Sequence, residues 1–161
     1  MNTYIININN NHYRYKITLE WKIMPGTRCW DIIALGHESS VYVAIPTTFN
    51  QEWCKSGSCY SSLAGNYYSY DEVEMVSFKI PTGTLTSLNS YMYYDVLRVD
   101  PSKVLERITT IGDYAHATRS LSNSLNKSDI DWMDEIWLTN HAIYYDDIPA
   151  TELSQLVNWG A

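Results

Sequence analysis

The chain has few cysteines, few phenylalanines and no long hydrophobic run, and each shortage narrows the possible classes of protein. Of its 161 residues, 3 are Cys, 2 are Phe and 5 are Pro. No stretch approaches the roughly 18 apolar residues that span a bilayer, so we expect no membrane partner. The start, MNTYIININNN, lacks the basic and apolar regions of a secretion signal. We therefore expect a cytoplasmic protein whose odd number of cysteines stays reduced.

Basic residues are absent from residues 128–161. Seven of the 18 Asp and Glu residues lie there, whereas all 11 Lys and Arg residues precede Ser128. The other 11 acids match the bases in number, so the net charge of −7 arises from this segment. An anionic segment repels phosphate backbones, so we expect no direct nucleic-acid partner. It attracts a basic protein and speeds the encounter with it.

Strict alternation of apolar and polar residues is the clearest structural pattern. It runs through YRYKITLEWKI, 13–23, and predicts an antiparallel strand with one solvated face. TYIIN, 3–7, is its predicted neighbour. Further strands are predicted at 41–45, 72–80 and 91–99, with a bulge near Met75. The segment 56–71 is polar, rich in tyrosine and predicted as a long loop.

Helices are predicted where helical spacing or a capping residue occurs. The segments are 29–35, the residues after Pro46, a helix that begins at Asp100-Pro101, 113–126, 129–138 and a last helix from Pro149 through Val157. The sequence thus predicts an α+β fold. It comprises an antiparallel sheet of five or six strands drawn mainly from 3–99 and helices concentrated in the C-terminal half. We expect a single domain over 1–161.

Aromatic residues are interleaved with the C-terminal acids in DIDWMDEIWLTNHAIYYDD, 129–147. Acids around aromatic anchors are typical of a surface that docks on a basic protein. This predicts a small acidic inhibitor of the immunity, antitoxin or phage anti-defence kind, with a nucleic-acid-binding enzyme or a toxin as partner. An ordinary solvated helix face is the alternative for these acids. The predicted partner-binding residues are Trp132, Asp134, Glu135, Tyr145, Asp146 and Asp147.

Familiar catalytic and metal motifs are missing. The sequence has no Gly-x-Ser-x-Gly elbow, no phosphate-binding glycine loop and no dinucleotide fingerprint. A zinc site requires further cysteine or histidine ligands, and neither a second cysteine pair nor a nearby histidine accompanies Cys54 and Cys59. We therefore expect neither a metal nor a cofactor for the binding protein, and we assign it no catalytic residue.

One constellation suggests an enzyme as the alternative. Arg14, Ser61-Ser62 and Glu72-x-Glu74 occur in that order, which resembles the Arg, Ser, Glu-x-Glu order of ADP-ribosyltransferases of the arginine-class toxins. The resemblance implies NAD as the cofactor, held by Arg14 with support from Ser61. It also implies that Glu74 stabilises the oxocarbenium charge while Glu72 orients the acceptor. Whether the chain is an enzyme stays open at this point.

Overall fold

The computed structural model describes residues 1–9, 11–117 and 145–160. These residues form ten β-strands in two antiparallel sheets of five strands each. The described ranges contain no helix, so the predicted α+β fold with C-terminal helices is wrong and this part of the chain is all-β. The same ranges accordingly offer no helix that could cross a membrane.

The described part of the chain passes between the two sheets five times. Sheet A has the order β1-β2-β8-β4-β5 and sheet B the order β10-β9-β3-β7-β6. In chain order the strands are β1 (Asn2–Asn9), β2 (His12–Glu20), β3 (Trp30–His37), β4 (Val41–Lys55), β5 (Ser58–Ser62), β6 (Asn66–Tyr70), β7 (Val73–Lys79), β8 (Ser87–Arg98), β9 (Leu105–Ala117) and β10 (Tyr145–Asn158).

The two sheets share one apolar layer. Every second residue of β2 from Tyr13 to Leu19 is at most 5% exposed and belongs to this layer. Phe49 of sheet A meets Phe78 of sheet B there, with ring centroids 4.6 Å apart. The strand predicted over 13–23 is therefore present as β2, although it ends at Glu20, and its alternation directs apolar side chains inward.

Two predicted helices are strands whose sequences hide the alternation. The segment 29–35 falls in β3, where residues 31–35 are all buried. A strand buried on both faces has a continuous apolar run, which periodicity does not separate from a buried helix. The residues after Pro46 lie in β4, where register shifts between Val43 and Thr48 interrupt the period of two.

The chain beyond Asp100 also differs from the prediction. The Asp100 carboxylate accepts hydrogen bonds from the backbone N–H of Ser102 at 2.9 Å and from its hydroxyl at 2.7 Å, which closes a turn instead of opening a helix. The predicted helices that follow are replaced by β9, as far as Ala117. The helix predicted from Pro149 is part of β10, with a register shift between Pro149 and Glu152. The helix predicted at 129–138 lies outside the described residues.

The segment 56–71 contains two short strands rather than a long loop. β5 pairs with β4 in sheet A, β6 pairs with β7 in sheet B, and residues 63–65 cross between the sheets. Glycine is required at position 65, because a Cβ there would lie 2.6 Å from Val76 Cγ1. β7 keeps an unbroken register with both neighbours, without the bulge predicted near Met75.

Cys54 and Cys59 form a disulfide across the β4–β5 hairpin. They are direct cross-strand partners with Cα atoms 4.0 Å apart. The turn residues Ser56 and Gly57 have φ angles of 50° and 80°, the left-handed pair of a type I′ turn. This register, which the sequence did not reveal, brings together two thiols that we expected to stay reduced. Disulfides are typical of oxidising compartments, so whether Cys54 and Cys59 are oxidised in the cell tests the predicted cytoplasmic location.

Three buried tyrosines combine a hydroxyl that has an acceptor with a raised pKa. The hydroxyl of Tyr15 donates to Glu38 Oε1 at 3.3 Å, and that of Tyr94 to the carbonyl of Leu35 at 3.0 Å. The Tyr114 hydroxyl donates to the Asp31 carboxylate. Burial raises the pKa of each of the three tyrosines, and nearby carboxylates raise it further.

We expect the unreduced protein to show one titratable thiol when denatured, although it has 3 cysteines, because two are joined. Thiol titration in denaturant measures this, and the same titration after reduction should count all three. A closed loop this short stabilises by roughly 2 kcal/mol, so replacing both Cys54 and Cys59 by Ser should lower the free energy of unfolding by that amount. Three reactive thiols without reductant would contradict the disulfide.

We also expect the free energy of unfolding to fall steeply above pH 10. The unfolded chain ionises its tyrosines near pH 10, whereas the folded protein keeps Tyr15, Tyr94 and Tyr114 protonated. The unfolded state then binds fewer protons, so stability falls with pH by about 1.4 kcal/mol per unit for each tyrosine. Urea unfolding from pH 7 to 11.5 would measure the slope. Tyr94→Phe should flatten it by one tyrosine's contribution, and an unchanged slope would contradict the assignment; Tyr42→Phe, at an exposed position, is the control.

Candidate functional site

The outer face of sheet A carries a row of tyrosines and cations at the centre of the sheet. The antiparallel register of β2 and β8 sets Arg14 opposite Asp95, Lys16 opposite Tyr93 and Thr18 opposite Tyr91. Their chain neighbours on both strands fill the core, so these side chains point away from it. We call Arg14, Lys16, Tyr91, Tyr93 and Asp95 the tyrosine–cation ladder.

A buried carboxylate anchors the ladder at one end. Asp95 is 1% exposed and accepts two hydrogen bonds from Arg14, at 2.6 Å from Nε to Oδ1 and 3.0 Å from Nη2 to Oδ2. His12 Nε2 lies 3.1 Å from Oδ2. The hydrogen bond to Asp95 is the largest cause that raises the pKa of Arg14 above its ordinary value. A bidentate contact of this kind fixes both the position and the plane of the guanidinium.

The cations lie against the tyrosine rings. Arg14 Cζ is 4.0 Å from the ring centroid of Tyr93, and Lys16 Nζ is 4.8 Å from that of Tyr91. The two tyrosine rings are nearly parallel, at 18°, with centroids 6.2 Å apart. Each contact of a cation with a ring is attractive, by about 0.5–1 kcal/mol at an exposed site, and favours these positions of the two long side chains. The contacts of the ladder therefore form without a partner.

Exposed apolar side chains flank the ladder on both sides. In the register of β1 with β2, Tyr4 is opposite Lys16 and Ile6 is opposite Arg14. Ile45 of β4 is opposite Asp95. These three side chains are 40%, 38% and 42% exposed, respectively. Together with the ladder they form a face four strands wide, in which tyrosine and arginine lie beside accessible apolar surface. That composition is typical of the energetic centres of protein interfaces.

The structure places the predicted NAD-site residues in three different locations. Arg14 is in the ladder, engaged by Asp95. Ser61 is on β5, at the far edge of sheet A, and Glu72 precedes β7 in sheet B. Glu74, within β7, accepts hydrogen bonds from Thr47 at 2.9 Å and Ser69 at 2.5 Å. Arg14 and the two glutamates thus belong to different sheets. The NAD-using alternative stays a prediction that nothing observed here supports.

The predicted acidic docking residues are described only in part. Trp132, Asp134 and Glu135 lie outside the described residues. The other three, Tyr145, Asp146 and Asp147, begin β10, an edge strand of sheet B, where they pair with residues 117, 116 and 115 of β9. β10 runs beside β1, the edge strand of sheet A. Asp146 and Asp147 therefore lie at an edge of sheet B.

The sequence indicated which ladder residues share a strand face but not that the two strands pair. Alternation placed Arg14 and Lys16 on the solvated face of a strand, and the same period in YMYYDVLRV puts Tyr91, Tyr93 and Asp95 on one face. What the sequence did not show is that β2 and β8 pair, because Arg14 and Asp95 are 81 residues apart. Only the folded structure reveals the contact between Arg14 and Asp95.

A second cluster of titratable groups is buried in sheet B. Asp31 is 0% exposed, and His116 Nδ1 lies 3.0 and 3.2 Å from its two carboxylate oxygens. The ring of Trp21 meets that of His116 edge-on, with centroids 5.0 Å apart. Burial, and then the Asp31 charge, raises the pKa of the Tyr114 hydroxyl that also bonds to Asp31. The enclosure suits a packed, hydrogen-bonded cluster of the core. Across the described residues no group of three or more metal-binding side chains converges.

We expect Arg14→Met to lower the free energy of unfolding by about 3 kcal/mol, because it leaves the buried Asp95 carboxylate without its guanidinium. Urea unfolding at pH 7 measures this. The double variant Arg14→Met with Asp95→Asn should recover most of the loss, since no charge is then stranded. A loss below about 0.5 kcal/mol in the single variant, the range of ordinary surface substitutions, would contradict this account.

Comparison with known proteins returns no family model and no curated protein that matches this chain. Among solved structures, it is similar to the collagen-binding domain from a Staphylococcus aureus adhesin, with a TM-score of 0.45 and 8% identity over 98% of this chain and 95% of that one. It is also similar to ACE19, the collagen-binding subdomain of the Enterococcus faecalis surface protein ACE, with a TM-score of 0.49 and 10% identity over 97% and 95%. At such identities and TM-scores, the binding chemistry of this chain must be decided by its own side chains.

Proposed function

We propose that the protein is a protein-binding module that docks a partner on the outer face of sheet A. The observation that carries the proposal is the tyrosine–cation ladder, fixed in place beside the exposed side chains of Tyr4, Ile6 and Ile45. Aromatic side chains next to accessible apolar surface are typical of the centre of a protein interface.

Preorganisation favours binding at this face. A long side chain that is immobilised on association costs about 0.5–1.5 kcal/mol of ordering entropy. Arg14 and Lys16 already lie on tyrosine rings in the free protein, so this cost is largely absent. Because Asp95 neutralises Arg14, the centre of the face carries little net charge. The partner we infer therefore presents an apolar strip with hydrogen-bond acceptors for the tyrosine hydroxyls and Lys16.

A second candidate is the acidic C-terminal segment as the docking element for a basic protein. Two observations favour it: the whole net charge of −7 comes from 128–161, and Asp146 and Asp147 begin the edge strand β10. An acidic margin steers a cationic partner, such as a nucleic-acid-binding enzyme or a toxin, and occupies its basic groove. In this form the protein acts as an inhibitor. The cytoplasmic location and the absence of a cofactor are part of this proposal.

Capture of partners from the cells that make the protein distinguishes the two surfaces. We expect the double variant Tyr4→Ser with Ile6→Ser to lose most of the partner that the wild-type protein captures, as measured by quantitative mass spectrometry. Both positions are exposed, so the fold should tolerate the changes. The matched control is Ile111→Ser with Leu156→Ser, on sheet B at 52% and 59% exposure. Equal capture by both double variants would overturn the proposed face.

The acidic candidate predicts a different pattern in the same measurement. Asp146→Asn with Asp147→Asn should reduce capture, and more strongly at low salt, where charges are least screened. The control with the same change in charge is Asp71→Asn with Asp100→Asn, at exposed positions elsewhere. If capture by the Asp146/Asp147 variant matches that control at low salt, the acids have no docking role.

A further inference from the structure

We propose that the protein holds a second, small-ligand site, which takes an acidic sugar residue, in the cavity where the chain crosses from sheet A to sheet B. The cavity has a volume of about 590 Å³ and opens beside residues 63–65. Its lining includes Trp30, Gln51, Trp53, Ser62, Asn66 and Lys79. Pockets that enclose small molecules are usually about 300–1,000 Å³ and combine aromatic walls with a few polar groups. This site does not depend on the proposed docking face.

A buried donor without an acceptor marks the cavity as a binding site. Gln51 is 3% exposed, and its side-chain Nε2 has no hydrogen-bond partner among the described residues. An unsatisfied buried donor costs about 1–3 kcal/mol. The Oγ of Ser90, its direct cross-strand neighbour, is also buried, and the described part of the chain offers it no hydrogen-bond partner. A turn of the Gln51 side chain toward an acceptor on a cavity ligand would recover this energy.

Two tryptophans supply flat apolar walls. Trp53 comes from β4 of sheet A and Trp30 from the start of β3 in sheet B. Trp53 stacks on Tyr60 at 21°, with ring centroids 5.7 Å apart, which braces the indole from one side. Indole faces favour a ring-shaped ligand with an apolar C–H face, and the remaining polar groups then meet its substituents.

The charge of the cavity favours an anion. Lys79 is the charged residue among the described lining residues, and no carboxylate joins it there. Two further cations border the adjoining segment: Arg28 donates to the carbonyl of Gly83, and the Lys55 side chain passes close to Gly83. This edge is therefore positive in a chain of net charge −7. A carboxylate on the ligand would meet both Lys79 and the Gln51 amide.

These requirements together define the ligand class. A pyranose ring presents a C–H face to an indole, its hydroxyls suit Ser62 and Asn66, and a carboxylate suits Lys79 and Gln51. Uronic acids combine all three features. Neutral sugars lack the group that the cation and the buried donor require, and aromatic acids lack the hydroxyls.

Titration of the full-length protein with glucuronate tests the proposal, with tryptophan fluorescence and saturation-transfer NMR as readouts. We expect saturable binding of glucuronate and at least tenfold weaker binding of glucose, since a hydrogen bond to a charged group contributes about 1.5–3 kcal/mol. Gln51→Leu and Lys79→Gln should each weaken glucuronate binding about tenfold or more for the same reason. Lys103→Gln, at another exposed lysine, is the matched control and should bind like wild type.

We expect both variants to fold. Lys79 is exposed, so its replacement leaves the core intact, and Gln51→Leu removes an unsatisfied donor without changing side-chain volume much. No saturable binding of glucuronate, or wild-type affinity in both variants, would overturn the site. Equal affinity for glucose would overturn the assignment of an acid, and binding of benzoate without glucuronate would overturn that of a sugar. Capture of a protein partner by the sheet A face is unaffected by any of these outcomes.

Discussion

Buried tyrosine hydroxyls need acceptors, and in this protein they find them across the layer between the sheets. From sheet A, Tyr13 donates to the carbonyl of Asn158 at 3.3 Å, Tyr15 to Glu38 and Tyr94 to the carbonyl of Leu35. All three acceptors belong to sheet B or its adjoining turn. Leaving a buried hydroxyl unsatisfied costs about 1–3 kcal/mol, so these bonds favour a single alignment of one sheet on the other.

The same strands that make these bonds also build the outer face. Because side chains alternate along a strand, Tyr13 and Tyr15 inside require Arg14 and Lys16 outside, and Tyr94 inside places Tyr93 and Asp95 outside. A slip of one residue would exchange the two sets and bury charges in the apolar layer. The ladder is thus held in register by the core and not only by its own contacts. That explains how a solvent-facing row of long side chains can be ordered in the free protein.

The sequence predicted elements whose pattern is local and failed where tertiary context decides. β2 could be predicted because one of its faces is solvated, which leaves a clear period of two. β3 could not, because both faces are buried, and β4 could not, because its register shifts break the period. Among candidate site residues, Arg14 was identified but given another role, since its partner Asp95 is brought near only by the β2–β8 pairing. The disulfide is local, but the odd number of cysteines and the missing secretion signal argued against it. Two unusual φ angles set the type I′ turn that aligns Cys54 with Cys59.

The two proposed surfaces differ in how their polar groups are satisfied, and this difference sets the kind of selectivity each can have. In the ladder, Arg14 is fully engaged by Asp95, so a partner gains mainly from apolar contact and shape and loses little if it lacks a particular polar group. In the cavity, the buried Gln51 donor finds no acceptor among the described residues, so a ligand without an acceptor leaves that cost in place. A site of the first kind tolerates variation in its partner, whereas one of the second kind rejects close analogues.

The cations of the two sites differ in the same way. Those of the ladder are held on rings or by a carboxylate, whereas Lys79 at the cavity is set among described lining residues that include no acid. In a chain whose net charge is −7, a cation whose described cavity neighbours include no carboxylate favours an anionic ligand more strongly than one that is already neutralised.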